Sequence, residues 1–391
     1  MKNYYFAFLT SCILLMGCQT NQERSKKNDF YAIDFTQCVE TEKSMLLSEI
    51  ADSIEYLELK TPEDIIITNI INIKIVDNDL IICAKGGVYK FHRNGQFVRK
   101  IGDIGQGPGE YVGATDIELD LKNKEIIIQA VFSTMYYDYD GNFLRSKTNF
   151  ANKISISDSI LWTDKVAFIK DPYNAIATSL DGNSDTIATI PNSIYGRESV
   201  NRNEASLGFS CFYHHNSLLF YKCNDSYDTI LKLSGTKIEP YAYINMGKYK
   251  LPNEYEVWYS VDAFNKSGHE YWGIPFIAED ERYIFLSSTT RRAQQGIERK
   301  YKYLVYDKKE VKGFTTKNNQ DFKITDDILG GPPVWPRWIT EKYYINTIEW
   351  HELKEQMNTG NYSPAEPLKS QIPKIGEDTN QIIILCHRKN V

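Results

Sequence analysis

Apolar and polar residues alternate in short runs along most of this chain, and the alternation predicts β-strands. Tyr, Ile, Phe, Val and Thr recur in runs that Asn, Asp and Gly interrupt, whereas apolar residues at helical spacing are scarce. The clearest unit, Ile70 to Ile101, contains four such runs, with turn sequences such as Asn94-Gly95 between them. Four antiparallel strands within so short a segment predict one small sheet.

The same unit returns along the chain. Related runs occupy residues 117–148, a third segment that ends at 186–188, 209–235 and 276–314. Glycine-marked turns at Gly95, Gly141, Gly182 and Gly235 lie 46, 41 and 53 residues apart. Repeats of four strands with a period of about 40 to 50 residues are typical of propeller blades. The sequence therefore predicts an all-β fold, a six-bladed β-propeller of four-stranded antiparallel blades.

The sixth blade needs strands from both ends of the chain. Ser53 to Leu59 alternates cleanly but has no partner nearby in sequence, so we expect it to pair with the C-terminal strand and close the ring, which removes exposed edges. Between the last strands, one apolar helical face predicts a short packing helix that ends near Gly360. The remaining strands of this blade are Trp335 to Thr340, Tyr343 to Thr347 and Gln381 to His387, and the helical face is Trp350, Leu353 and Met357.

The glycine-rich run from Gly102 to Gly109 is best explained as a connector between blades. It lacks the Gly-Lys-Ser/Thr ending of a phosphate loop and no helical pattern follows it, so glycine serves turn formation here. The segment Ile101 to Tyr111, followed by the strand Asp116 to Leu119, resembles the connector of NHL-type repeats. Asp52 to Leu59 resembles the opening strand of six-bladed β-propeller lipoproteins of Gram-negative gut anaerobes, to which the whole mature chain is similar. That family is mostly without an assigned activity, so the resemblance implies a fold and no reaction.

The N-terminus predicts a lipoprotein signal peptide over residues 1–17. Lys2 precedes the apolar run Tyr4 to Met16, which is too short to span a membrane, and Gly17 lies directly before Cys18. We expect lipidation of Cys18, a lipidated tether over 18–45 and the propeller domain over 46–391. Because Gln19 rather than Asp follows the cysteine, the expected location is the outer membrane, with either face possible.

The net charge bears on the possible partners, and the cysteine content bears on possible disulfides. The net charge of −6 disfavours nucleic acid, which selects a basic surface. Five cysteines follow Cys18, an odd number without short spacings, which is poor support for a disulfide framework. Cys211 and Cys223 flank a possible hairpin, so they either form a disulfide or are small buried apolar residues.

No metal site, cofactor or catalytic group is predicted. His214 and His215 are adjacent in a strand, so their side chains point to opposite faces and do not chelate one ion together. Four Asp-Ser/Thr-apolar tripeptides match the acceptor pattern of periplasmic O-glycosylation in such anaerobes, although the same tripeptides also suit strand starts. The four acceptors would be Ser53, Ser159, Thr186 and Thr229.

Binding residues are expected on one face of the propeller. The loop between the second and third strands of a blade and the connector to the next blade emerge together, and here these segments are long and rich in Arg and aromatic residues. Alternatively, the same aromatics pack the loops onto the blades. The predicted ligand-binding residues are Tyr111, Arg197, Trp258, Arg291, Arg292, Trp335, Arg337 and Trp338.

Two functional hypotheses follow. The first is an anchored, non-catalytic binding domain for a glycan, a peptide or a protein partner. The second is a propeller hydrolase or lyase that acts on a glycan or lactone, with acidic groups and a metal in the central funnel. Three or more inward carboxylate, amide or imidazole groups at the axis would favour the enzyme, because the fold itself hosts both kinds of function.

Overall fold

The chain folds into six small antiparallel sheets arranged in a ring, which confirms the predicted six-bladed β-propeller. The structure is a computed structural model, and it describes residues 30–165, 168, 170–180, 185–196, 210–214, 217–222, 228–252, 270–291, 298–317, 323–358, 368–369 and 380–389.

The N-terminal region and the first two blades follow in chain order. Ahead of the blades lie β1 (Tyr31–Asp34), α1 (Phe35–Glu40), β2 (Glu42–Lys43), a 3-10 turn (Leu47–Glu49) and β3 (Ala51–Leu57). Blade 1 contains β4 (Ile70–Val76), β5 (Asp79–Ala84), β6 (Gly87–His92) and β7 (Phe97–Ile101). Its connector carries the parallel pair β8 (Asp103–Ile104) and β9 (Glu110–Tyr111). Blade 2 contains β10 (Ala114–Asp120), β11 (Glu125–Ala130), β12 (Ser133–Asp138) and β13 (Phe143–Thr148).

The next three blades repeat this order from the innermost strand outwards. Blade 3 contains β14 (Ala151–Ser157), β15 (Ile160–Lys165), β16 (Tyr173–Ser179) and β17 (Thr186–Pro191). Blade 4 contains β18 (Ser210–His214), β19 (Leu218–Lys222), β20 (Thr229–Ser234) and β21 (Lys237–Asn245), and a 3-10 turn (Gly247–Tyr249) follows it. Blade 5 contains β22 (Trp272–Glu279), β23 (Tyr283–Thr290), β24 (Tyr301–Asp307) and β25 (Lys312–Thr316).

Blade 6 is closed by the N-terminal strand, as predicted. It contains β26 (Trp338–Ile339), β27 (Tyr343–Ile348), the helix α2 (Trp350–Asn358) and β28 (Ile382–Arg388), and β3 is its outermost strand. The antiparallel register pairs Leu57 with Ile383 and Ser53 with His387. In α2, Trp350 and Leu353 are buried, as the helical pattern predicted.

Residues 30–47 form a strap over the outside of blades 4 and 5. β1 pairs in parallel with β21, and β2 pairs in parallel with β25. Between them, α1 buries Phe35 and Cys38, and a Cβ at Gly313 would lie 2.0 Å from Cys38 Sγ. The strap thus contains residues 30–45, which the sequence analysis assigned to the tether, because short strands at a blade edge carry little alternation.

Glycine occupies turn and connector positions that require a positive φ. Gly95, in the turn between β6 and β7, has φ +83°, and a Cβ there would lie 2.0 Å from Glu58 O in the preceding connector. Gly102 and Gly109 also have positive φ, within the connector that carries β8 and β9. The glycine-rich run is thus a connector, as predicted.

Among the helices that the structure describes, none has the length and the apolar composition of a membrane span.

Antiparallel blades give the propeller two distinct faces. Loops between second and third strands emerge with the blade-to-blade connectors on one side, which we call the connector face. Turns between first and second strands and between third and fourth strands emerge on the other side, the turn face. Apolar clusters fill the spaces between neighbouring blades.

Candidate functional site

A cleft of about 380 Å³ opens between blades 5 and 6 on the connector face. We call it the connector-face cleft. Three strands of blade 5, two strands of blade 6, α2 and the connector ahead of β26 surround it. Its walls are Pro275, Phe276, Ser287, Tyr303, Lys323, Pro332, Pro333, Trp335, Arg337, Asn346, Thr347, Ile348, Glu352 and Ile384.

The connector ahead of β26 is held in a closed loop that positions one wall of the cleft. Ile324 and Val334 exchange two main-chain hydrogen bonds, of 3.0 and 2.9 Å. Inside the loop, the buried Asp326 carboxylate accepts hydrogen bonds from the main-chain N–H groups of Ile328, Leu329 and Gly331. A carboxylate that is bonded in this way fixes the loop, and with it the residues on either side.

Aromatic rings form the floor of the cleft on the blade 5 side. The Trp335 ring lies 5.0 Å from the Tyr303 ring and 5.6 Å, edge to face, from the Phe285 ring. Trp335 is only 4 % exposed, so it supports the floor, whereas Phe276 and Tyr303 are half-buried and present surface to the cleft. Such pairs hold each other in fixed orientations, which makes the floor rigid.

Arg337 places a positive charge in the cleft. Its main-chain N–H donates to Ile345 O at 2.9 Å, which fixes the residue beside β27. The guanidinium lies 4.5 Å from the Trp338 ring centroid, and within the part of the chain that the structure describes it has no hydrogen bond or ion pair. Burial lowers the pKa of the Arg337 guanidinium, which remains charged at neutral pH. An arginine that is half-buried without an anion is suited to bind one.

Two further charges and three polar groups complete the walls. The Lys323 ammonium lies 5.6 Å from the Tyr303 ring centroid, and Glu352 lies in the first turn of α2. Hydroxyl and amide groups come from Ser287, Asn346 and Thr347. The cleft can therefore offer an aromatic surface, donors and acceptors for hydrogen bonds, and a cation to one bound molecule.

A larger cavity, of about 690 Å³, lies at the turn face. We call it the turn-face funnel. The innermost strands of blades 1, 2, 3 and 6 and the turns of blade 4 surround it, and two of its carboxylates, those of Glu118 and Asp120, are held by contacts within the fold. Lys74 Nζ lies 2.8 Å from Glu118, and Ser155 Oγ donates to Glu118 at 3.1 Å. Asp120 accepts from the main-chain N–H groups of Lys122 and Asn123, which closes the turn between β10 and β11.

The acidic groups of the innermost strands serve contacts between blades. Asp116 accepts from Asn72 Nδ2 of blade 1 at 2.7 Å and from the Ile154 main-chain N–H of blade 3 at 3.2 Å. Among the described residues, no group of three or more His, Cys, Asp or Glu side chains is placed to hold a metal ion.

The structure brings together two of the predicted ligand-binding residues, Trp335 and Arg337. Trp338 lines the turn-face funnel instead. Arg291 is 9 % exposed and its Nε donates to Trp272 O, so it packs against the start of β22, where Gly273 leaves room for it. Arg197, Trp258 and Arg292 lie outside the described residues.

Tyr111 is a packing residue, which corrects the expectation that it faces a ligand. It is 2 % exposed. Its hydroxyl donates to Ile101 O at 2.9 Å and accepts from the Val88 main-chain N–H at 3.0 Å. The ring therefore seals the connector against blade 1, and both hydrogen-bonding roles of its hydroxyl are used.

Sequence reasoning missed several walls of the cleft, notably Phe276, Tyr303, Lys323 and Glu352. The first two belong to alternating strands, where an aromatic residue is indistinguishable from a core position. A usable signal was present only in the connector itself, where three Pro, two Trp and one Arg lie within Pro332 to Trp338.

The predicted modification sites differ in exposure. Ser53, Ser159 and Thr186 are exposed, whereas Thr229 is half-buried beside Asp228, which pairs with Lys250 at 2.6 Å. Glycosylation at these positions stays a prediction. Cys38, Cys83 and Cys386 are buried free thiols. The predicted pairing of Cys211 with Cys223 stays open because Cys223 lies outside the described residues.

Comparisons with known proteins agree on the fold. No curated protein matches the chain. A proposed exported protein from Bacteroides fragilis has a similar structure, with a TM-score of 0.68 and 17 % identity over 92 % of this chain and 100 % of that one. At this identity the likeness shows the fold alone.

Two more distant structures are also similar in part. The Pan2 WD40 domain of Neurospora crassa gives a TM-score of 0.37 and 11 % identity, covering 63 % of this chain and 64 % of that one. The extracellular domain of a proposed one-component system from Bacteroides thetaiotaomicron gives a TM-score of 0.41 and 9 % identity, covering 68 % of this chain and 30 % of that one. Likeness at this level does not extend to function.

The family is shown by sequence. One family profile matches residues 30–387, which begin with the strap and end in the closing blade. This chain belongs to the family described as Domain of unknown function (DUF4934).

Proposed function

We propose that this protein is an outer-membrane lipoprotein whose propeller is a binding domain, and that a glycan or peptide ligand occupies the connector-face cleft. The observation that carries the binding role is the half-buried Arg337 guanidinium, which has no hydrogen bond or ion pair within the described residues. Leaving a desolvated cation without an anion costs stability, so a ligand anion at this position would offset a cost that the fold otherwise bears.

The aromatic floor supports the same role. Phe276 and Tyr303 are half-buried in the cleft walls, and the Tyr303 ring lies against the buried Trp335 ring, so they offer apolar surface that can pack on a ligand. Ligand sites in proteins combine a mostly apolar concave surface with a few fixed polar groups, which is the composition of this cleft.

The cellular address rests on the N-terminal sequence. The apolar run that ends in Leu15-Met16-Gly17-Cys18 supports cleavage before Cys18 and attachment of acyl chains to it. Several acyl chains together give stable anchoring, whereas a single one is reversible. A body tethered in this way can bind ligands outside the cytoplasm.

Binding is tested with the full-length protein and a panel of glycans and peptides. The comparison is between Arg337→Ala and Arg299→Ala, because Arg299 is an exposed arginine on the connector face outside the cleft. We expect at least one ligand to lose affinity in Arg337→Ala only. Binding that is equal in both variants, or no binding at all, would contradict the proposal.

The anchor is tested by membrane fractionation of cells that express Cys18→Ala. We expect this variant to leave the membrane fraction while its propeller stays folded, and the wild type to carry the mass of attached acyl chains. Membrane retention of Cys18→Ala would rule out the anchor.

A further inference from the structure

We propose that the ligand of the connector-face cleft is a carboxylated saccharide, with its carboxylate on Arg337; this inference rests on the binding role proposed above. It names the chemical class of the ligand, which the fold and the family leave open.

The charged groups select an anion of low charge. Arg337 and Lys323 bring two cations to the walls, and Glu352 brings one anion. A guanidinium binds a carboxylate through two parallel hydrogen bonds, which suits a single planar acid group. A densely charged polyanion would be repelled by the Glu352 carboxylate. The walls therefore suit a molecule with one carboxylate and several hydroxyl groups.

The uncharged walls suit a sugar ring. Phe276 and Tyr303 offer aromatic surface, and Ser287, Asn346 and Thr347 offer hydroxyl and amide groups at the same cleft. A pyranose has an apolar C–H face and a rim of hydroxyl groups, so it can pack on the aromatic surface while its rim meets the polar side chains.

Strand topology disfavours a peptide. Extended peptides commonly bind by adding a strand to an exposed sheet edge. Four of the strands that line the cleft, β23, β24, β27 and β28, are each paired on both sides. Pro275, on the innermost strand β22, has no N–H to donate. These four strands can therefore recognise a ligand only through their side chains, and a saccharide acid offers hydroxyl and carboxylate groups to such side chains.

The experiment is calorimetric titration of the full-length protein in detergent with three probe sets. The first set contains oligosaccharides of galacturonate and of glucuronate, and the second contains the same oligosaccharides after reduction of the carboxyl groups to alcohols. The third set contains acidic peptides of similar size. Each set is titrated into the wild type, Arg337→Ala, Arg337→Lys and Arg299→Ala, after their thermal unfolding has been compared.

We expect the wild type to bind at least one uronate probe at least about tenfold more tightly than its reduced counterpart. Arg337→Ala should abolish this preference, and Arg337→Lys should restore part of it, because an ammonium supplies charge without the bidentate geometry. Arg299→Ala should bind like the wild type.

The outcomes separate this inference from the proposed function. Equal binding of uronate and reduced probes, or binding of acidic peptides alone, would overturn the saccharide carboxylate and leave a binding cleft in place if Arg337→Ala still weakens it. If the wild type binds none of the three sets, both the inference and the proposed function fail.

Discussion

The connector-face cleft and the turn-face funnel are both polar cavities, but they differ in whether a charged side chain in the wall has a partner within the fold. In the funnel, Glu118 is held by Lys74 at 2.8 Å and by Ser155 at 3.1 Å. In the cleft, the Arg337 guanidinium has no ion pair or hydrogen bond within the described residues. The funnel is the larger of the two, at about 690 Å³ against 380 Å³.

The volume of a cavity alone therefore does not identify it as a binding site. Charges that satisfy each other stabilise the fold and leave little for a ligand to gain. A charge that the fold leaves unsatisfied costs stability and is retained where it serves binding. Variants in the two cavities should therefore have opposite effects on stability and on binding.

The largest effect on stability is expected from Glu118→Ala in the funnel. The variant removes the acceptor of the Lys74 ammonium and of the Ser155 hydroxyl, in a site where Glu118 is only 8 % exposed. We expect the free energy of unfolding to fall by about 2 to 3 kcal/mol, as measured by urea denaturation. Glu341→Ala, an exposed residue of the same funnel, is the control and should change it by less than about 0.5 kcal/mol.

The reverse pattern is expected from Arg337→Met in the cleft. Methionine keeps apolar contact with the Trp338 ring and removes the desolvated charge. We expect the free energy of unfolding to stay within about 0.5 kcal/mol of the wild type or to rise, while ligand affinity falls at least about tenfold. A stability loss as large as that of Glu118→Ala would show that Arg337 is structural and would erase the distinction between the cavities.

A smaller effect, in the pH dependence of stability, should come from the turn face. Burial raises the pKa of Asp307, but hydrogen bonds from Arg282 and from the Glu310 and Lys309 main chain outweigh it, so the pKa lies below its ordinary value. The unfolded chain then takes up the proton first as pH falls. We expect the free energy of unfolding to decrease as pH drops from about 5 to below the unfolded Asp value of about 3.9.

The control for this pH dependence is Asp307→Asn. In this variant the free energy of unfolding should decrease less steeply as pH falls, as measured by circular dichroism during acid unfolding. Binding at the cleft should not change over the range from about pH 5 to 8, because Arg337 stays charged there. A decrease of equal slope in Asp307→Asn would assign the acid sensitivity to other carboxylates.

The smallest effect is expected from Tyr111→Phe. The variant leaves Ile101 O and the Val88 N–H without their buried partner, so the free energy of unfolding should fall by about 1 kcal/mol, which thermal denaturation can detect. Ligand affinity should be unchanged. Weaker ligand binding without a loss of stability would indicate that Tyr111 belongs to the ligand-binding surface.

The fold could be read from the sequence because a propeller repeats one local pattern. Alternation, glycine turns and the unpaired strand at 53–59 were enough to predict the ring and its closure. The strap over residues 30–47 was missed, because β1 and β2 are too short to show alternation. The buried residues Phe35 and Cys38 have helical spacing, but α1 is only six residues long, which is too short to show a repeated pattern.

The candidate site was only half predictable. Trp335 and Arg337 stand out because aromatic and arginine residues are concentrated in one connector. Tyr303 and Glu352 reach the same cleft from a strand of another blade and from a helix, and only the packing of blade 5 against blade 6 brings them together. Tyr111 is an example of the opposite error. It lies in a connector and was expected to face a ligand, but in the fold it is a buried packing residue.

The connector-face cleft, where the Arg337 guanidinium has no ion pair or hydrogen bond within the described residues, is the binding site that we propose. The most direct measurement is a crystal structure of the protein with the tightest-binding uronate oligosaccharide. We predict that the sugar lies between blades 5 and 6, with its carboxylate within hydrogen-bonding distance of the Arg337 guanidinium. A ligand bound in the turn-face funnel, or one in the cleft whose carboxylate points away from Arg337, would contradict the account.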